Sequence, residues 1–314
     1  MKIIILSLAF FSVLNWAYAQ PGSITNIQVS QGAGVNERVL DIQFDLTGSD
    51  AAYDISLEVS FDNGGTYLPI DPNEVTGASN VVPGNGIPLI WDGRISYAGY
   101  STDIARIKII ATGIWQCGNP ITDSRDGQSY NTVLIGTQCW MKENLNVGTM
   151  INESQEMSDN ETIEKYCYNN DPANCSTYGG LYQWNEIMQY TTTPGTQGIC
   201  PDGWHIPMDE EWTALTNYLG GASVAGGKMK EAGFVHWYPP NTGATNESGF
   251  TALPGGYRPT GGSFDYLGTH GHWWSSTDYS GSTAWHRYLG YTDAGARRYY
   301  YYKTYGFSLR CLQD

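Results

Sequence analysis

Alternation is the clearest pattern in the first third of the chain. In the stretch YDISLEVSFDNGGTYLPI, Ile55, Leu57, Val59 and Phe61 fall on one face, with Asp54, Ser56, Glu58 and Ser60 on the other. A period of two is the signature of a half-buried β-strand. Asp62-Asn63-Gly64-Gly65 follows with residues that tolerate positive φ, so a hairpin turn is expected there. Leu40, Ile42, Phe44 and Leu46 repeat the pattern upstream. Ile107 and Ile109 repeat it downstream, opposite Arg106 and Lys108, and Ile24–Val29 and Pro88–Trp91 supply further short strands. Short strands with turn signals and no helical period predict an immunoglobulin-like β-sandwich over residues 21–115. Trp91 is expected in its core. The segment contains neither His nor Cys, so it carries no catalytic constellation and reads as a spacer or docking module.

The pattern changes from Cys117 onward. Asp126-Gly127 is a hairpin signal, and Val133-Leu134-Ile135 is strand-like. After Pro207, the residues Trp212, Leu215 and Leu219 sit at i, i+3 and i+7 and place one apolar stripe on a helix that Gly220-Gly221 ends. Leu181, Trp184 and Met188 give the same spacing and predict a second helix near residues 178–190. Near the end, Arg297, Tyr299, Tyr301 and Lys303 share one face of a strand, and Arg298, Tyr300 and Tyr302 share the other. One face is expected to pack inward and the other to meet solvent.

Composition narrows the function. The formal net charge is −15, which makes nucleic acid and anionic membranes poor partners. The chain starts with Lys2, the apolar run Ile3–Phe11, Val13 and Leu14, then Ala17-Tyr18-Ala19. That order reads as a secretory signal peptide over residues 1–19, and no stretch is long enough for membrane insertion. The expected location is therefore exported: cell surface, periplasm or medium. All six cysteines lie between Cys117 and Cys311, and an even count in an exported chain suggests disulfides.

The second half carries several motifs in order: DSRDGQSYNTVLIGTQCWMKENLN, YCYNN, YGGLYQWNE, CPDGWHIPMDEEW, LPGGYR, WWSST and GFSLRC. Together they resemble the Fibrobacter succinogenes major paralogous domain family over residues 117–314. GWHIPMDEEW, GGYR and GFSLRC also look like the formylglycine-generating and sulfatase-modifying superfamily. That likeness implies a C-type-lectin-like fold with two helices, short strands and long loops. The expected fold class is thus multidomain: an all-β immunoglobulin-like sandwich, then an α+β C-type-lectin-like domain. Related sequences usually carry Ser or Thr where Met208 stands, so either Asp209 caps the helix start, with Glu210 and Glu211 in its first turn, or the helix starts later.

Of the pairings that six cysteines permit, Cys117–Cys139, Cys167–Cys175 and Cys200–Cys311 are expected. The first two close short loops, and the third joins the helix start to the last strand. A metal-thiolate site needs clustered thiols, and no C-x-x-C occurs. The resemblance also bears on activity. Formylglycine-generating enzymes use a pair of reactive cysteines late in the domain, with copper, whereas here only Cys311 follows Cys200. The likeness therefore implies fold and not activity. Iron sulfoxide synthases of related fold need a histidine cluster in a separate helical region that this sequence lacks.

Other chemistry is thinly signalled. His270 and His272 would share a strand face but have no H-E-x-x-H beside them. Ser275 and Ser276 lack a nucleophile-elbow context. Glu153, Glu156, Asp159 and Glu161 carry oxygens for calcium without the EF-hand spacing, and read as a solvated loop. Tyr, Trp and Arg make adaptable binding surfaces, and flat rings beside hydrogen-bonding groups suit sugar faces. Trp285, His286, Arg287, Arg297, Tyr299 and Tyr301 are the candidate ligand-binding residues, while Trp273, Trp274 and Trp285 also fit a core role. The expected function is a non-enzymatic surface or secreted binding protein for glycan or protein, with no cofactor and no metal. The alternatives are an extracellular assembly component that self-associates, and a metal-dependent oxidase.

Overall fold

The computed structural model describes residues 22–32, 38–48, 52–97 and 105–314. The expected signal peptide lies outside the described residues. The chain divides into two compact units, Met1–Gln116 and Cys117–Asp314.

The first unit is built from β1 (Ser23–Gln31), β2 (Val39–Thr47), β3 (Tyr53–Ser60), β4 (Leu68–Pro69), β5 (Val75–Thr76), β6 (Gly84–Asp92) and β7 (Arg106–Gly113). They form two antiparallel sheets, ordered β1-β2-β6-β5 and β4-β3-β7. Alternate residues of both sheets meet in one core, Leu40, Ile42 and Phe44 from β2 against Ile55, Leu57 and Val59 from β3. Trp91 belongs to that core and points its indole N–H at Glu74 Oε2. Ser60 breaks the alternation, being fully buried on the polar face. Its hydroxyl donates to Asp62 Oδ1 at 2.6 Å and accepts from the Gly64 amide at 2.8 Å, so it secures the β3–β4 hairpin turn.

The second unit opens with β8 (Ile121–Thr122), β9 (Ser129–Tyr130), β10 (Thr132–Ile135), β11 (Gln138–Met141), β12 (Thr149–Met150) and β13 (Glu164–Lys165). It continues through α1 (Pro172–Tyr178), α2 (Trp184–Ile187), β14 (Trp204–His205), α3 (Asp209–Tyr218) and α4 (Ala225–Met229). It ends with β15 (His270–Ser280), β16 (Thr283–Gly290), β17 (Ala296–Tyr302) and β18 (Leu312–Gln313). One sheet runs β10-β11-β18-β14, so the last strand closes beside one of the first; another runs β15-β16-β17. Trp140, Trp212, Trp237, Phe250, Trp273 and Leu289 fill the core between these elements. Trp273 and Trp274 are both fully buried.

Disulfides Cys117–Cys139, Cys167–Cys175 and Cys200–Cys311 coincide with the expected pairs, and no cysteine is free. Such bonds persist in oxidising compartments, outside the cell or in a periplasm. Among the described residues no helix is long and apolar enough to cross a membrane.

Two helix expectations are corrected. Around residues 178–190 there is only the single turn of α2, because Leu181 and Tyr182 pair in β-bridges to Tyr166 and Phe307, which pulls that stretch out of helix. α3 does bury Trp212, Leu215 and Leu219 and gives way to Gly220 and Gly221, both at positive φ. Its N-cap, however, is Met208, whose amide donates to Glu211 Oε2 at 2.7 Å. Asp209 is the first helical residue, and its carboxylate binds Arg287 and Arg298 instead.

Candidate functional site

The sheet β15-β16-β17 assembles the most unusual surface of the second unit. Its register pairs His272 with Tyr288, Trp274 with His286, and His286 with Tyr299. Residues directly opposite in antiparallel strands share a face. One face therefore carries His270, His272 and Trp274, then Tyr288, His286 and Ala284, then Arg297, Tyr299 and Tyr301. The other face carries Trp273, Arg287 and Leu289, and it packs on α3 and the core.

Two outside segments complete the first face. Gly256 bridges to Gly271 and Ser308 bridges to Trp273, which brings Tyr257 and Phe307 over the histidines. Phe307 stacks on His272 at 4.8 Å between ring centroids, and His272 stacks on His286 at 5.4 Å. Tyr257 meets His272 edge-on at 5.0 Å, and Tyr266 stacks on His270 at 4.4 Å. Tyr305 lies 4.3 Å from Tyr301. The result is an open pocket of about 310 Å³ walled by tyrosine, histidine and Phe307, with no Asp, Glu, Lys or Arg in its lining.

The floor of this pocket is electrostatically unusual. Both ring nitrogens of His272 and Nδ1 of His286 are buried with no hydrogen-bond partner. Most buried polar groups in native proteins are paired, so three orphans at one place call for an explanation. Burial depresses the His272 pKa well below its ordinary value, with His286 and His270 adding to the effect. Burial, with Arg287 nearby, pushes His286 down to about 3. Both rings are therefore neutral, and His272 offers one donor and one acceptor. Burial pushes the Tyr257 phenol up, so it too stays uncharged.

The sequence-derived candidates separate across this sheet. His286, Tyr299 and Tyr301 line the pocket. Arg297 shares their face, but its guanidinium is bound to Asp293. Trp285 lies on the opposite face, half-buried beneath Arg298, whose guanidinium carbon is 3.2 Å from its ring centroid. Arg287 is corrected from ligand contact to structural ion pair. It is 2 % exposed and binds Asp209 Oδ1 at 2.5 Å together with the Asp209 carbonyl and Thr213 Oγ1. The expectation that one face of the terminal ribbon packs inward is also corrected. Tyr299, Tyr300, Tyr301 and Tyr302 are all exposed, because β17 is the edge strand of its sheet and joins the core through Ala296 at its start. Sequence reasoning left Tyr257, Tyr266, Tyr305 and Phe307 out of the site. The shared strand face of Arg297, Tyr299 and Tyr301, and that of His270 and His272, were the sequence signals for this face.

Other polar groups are accounted for. Glu156 binds Arg258 at 2.8 Å, which ties part of the acidic loop to the body of the unit. His205 contacts Glu211 and Asp314. Among the described residues no group of three or more His, Cys, Asp or Glu is placed to hold a metal ion.

A family model described as the Fibrobacter succinogenes major domain matches residues 133–313. The chain belongs to this family. No curated protein and no solved structure matches it. In the Fibrobacter succinogenes major domain of this chain, the matched segment includes every residue that lines the aromatic pocket.

Proposed function

We propose that this is an exported, non-enzymatic binding protein, with an immunoglobulin-like sandwich as spacer and a C-type-lectin-like second unit that recognises glycan or protein. The observation that carries the reading is the open aromatic pocket with unpaired histidine nitrogens at its floor. Concave, mostly apolar sites with a few convergent polar groups are where small ligands bind. The sequence-level signal peptide and the three disulfides support export. The bonding of Cys311 to Cys200 removes the reactive thiol that the likeness to formylglycine-generating enzymes would require.

Glycan-array and pull-down screens test this, run beside a Tyr299→Ala/Tyr301→Ala variant. The expected result is a ligand detectable at millimolar sensitivity that the variant no longer holds. Absence of any ligand, or a ligand that the variant binds equally well, overturns the reading.

A second reading, assembly through self-association, draws on β17, an edge strand whose tyrosines are exposed. Size-exclusion chromatography with light scattering separates the two: stable polymers favour assembly and a monomer favours recognition.

A further inference from the structure

Three features of the pocket narrow the chemistry of its ligand. First, its walls carry no charge, and the histidines at its floor are neutral. An anion would have to shed water without gaining a partner of opposite sign, which is costly, and a cation could lie against the ring faces but would leave the N–H donor at the floor unpaired. The guanidinium of Arg297, on the same sheet face, is already bound to Asp293, and that of Arg287 to Asp209. Second, the walls are ring faces. Aromatic faces carry partial negative charge and attract the weakly positive C–H groups of a saturated ring. Third, the floor holds unpaired nitrogens of both kinds. Neutral His272 presents one N–H and one lone pair, and His286 Nδ1 is a further unpaired site. A ligand that fits must be uncharged, must present an apolar C–H patch, and must carry hydroxyls that donate and accept within a few ångströms of it. A sugar ring has all three properties. The volume, about 310 Å³, sits at the small end of the range for small-ligand sites and suits one ring in place of a chain.

We propose that this pocket takes a single uncharged pyranose ring, with Tyr299 and Tyr301 against its C–H face and its hydroxyls hydrogen-bonded to His272 and to Nδ1 of His286. The proposal rests on the reading that the second unit is a recognition module. The histidine nitrogens are shielded from water, so the hydroxyls reach His286 as Tyr299 and Tyr301 on edge strand β17 shift, and reach His272 as Tyr257 and Tyr288, the tyrosines that cover it, move aside. Tyr299 and Tyr301 are exposed and lie 6.5 and 6.0 Å from the His286 ring, which places them to make that movement. An unpaired buried donor and acceptor weaken the fold in the free protein, and pairing them with a ligand recovers that loss.

The test uses the full chain, with isothermal titration and saturation-transfer NMR. The probes are methyl hexopyranosides, a uronic acid and tetramethylammonium. The expected result is binding of at least one neutral glycoside, with saturation transfer to its ring C–H protons, and no binding of the two charged probes. His272→Phe keeps a stacked ring and removes both nitrogens. It should bind the glycoside roughly tenfold more weakly, about the loss of one hydrogen bond. Its melting temperature should be unchanged or higher, since a role confined to folding would lower it. Glycoside binding unaffected by His272→Phe overturns the proposal, as does binding of only a charged probe. If no probe binds, the ligand class is wrong. The recognition reading then still stands if a ligand found by array or pull-down is lost in Tyr299→Ala/Tyr301→Ala, and falls if it is not.

Discussion

Asp209 lies in the first turn of α3 between two guanidinium groups. Its carboxylate contacts Arg287 at 2.5 Å and Arg298 at 2.8 Å. The Asp209 and Arg287 side chains are 7 % and 3 % exposed, so each charge depends on the other for compensation. Removing one member of a buried pair strands the partner. Asp209→Ala is therefore expected to cost about 3–5 kcal/mol, read as a lower urea midpoint. A loss below about 1 kcal/mol would mean that water reaches Arg287 and that the pair is in effect a surface one. The same burial removes Arg287 from any ligand surface. Arg298, about half exposed, stacks on Trp285 and is the arginine that remains within reach of solvent on that face.

At the scale of elements, the β15-β16-β17 sheet should make stability depend on pH. His272 and His286 have folded pKa values depressed below the unfolded value near 6.5, by burial first, then by the neighbouring histidines for His272 and by Arg287 for His286. The unfolded chain then binds more protons than the folded one below that pH. Stability from these two groups is fully present above about 6.5 and falls as pH drops toward about 3. The slope is about 1.4 kcal/mol per pH unit for each group. The rings that face them belong to His270, Tyr257, Tyr288, Tyr299, Tyr301 and Phe307. Burial raises the phenols of Tyr257 and Tyr288, so these two do not titrate in this range, and His270, itself lowered by burial, titrates in the same direction. His205 acts oppositely. Burial pulls it down, but Glu211 and Asp314 outweigh burial and raise it, so its contribution is present below about 6.5 and lost above its folded value. Urea midpoints at pH 7 and pH 4.5 check the sign. Wild type should lose stability on acidification, and His272→Phe should lose less, by about one proton's worth of slope. Equal slopes would show that His272 is not held neutral.

For the whole molecule, the second unit is closed by its covalent bonds as well as by its core. Cys200–Cys311 spans 111 residues and Cys167–Cys175 spans 8. In the chain-entropy account, a longer closed loop restricts the unfolded chain more. Replacing Cys200 and Cys311 by Ala should cost about 5 kcal/mol, and replacing Cys167 and Cys175 about 2.5 kcal/mol. Denaturant midpoints of the two variants give the order directly. The reverse order would mean that native packing around Cys175, and not loop entropy, sets the effect.

Much of the local structure was legible from the sequence. Alternation at Ile55, Leu57 and Val59 identified β3, since a strand shows its two faces in consecutive residues. The stripe Trp212, Leu215 and Leu219 identified α3 for the same reason at a period of 3.6. The ordered motifs of the second half marked its family. Leu181, Trp184 and Met188 misled, because the same spacing arises when a chain folds back into bridges with distant partners. What only the tertiary structure decided is which residues meet. Asp209 and Arg287 lie 78 positions apart, and nothing near either residue announces the pair. The pocket gathers Tyr257, His272, His286, Tyr299 and Phe307 from separate strands and loops. Periodicity reports which side of an element a residue occupies. It carries no record of what is brought against that side, since long-range contacts are fixed by packing of the whole unit.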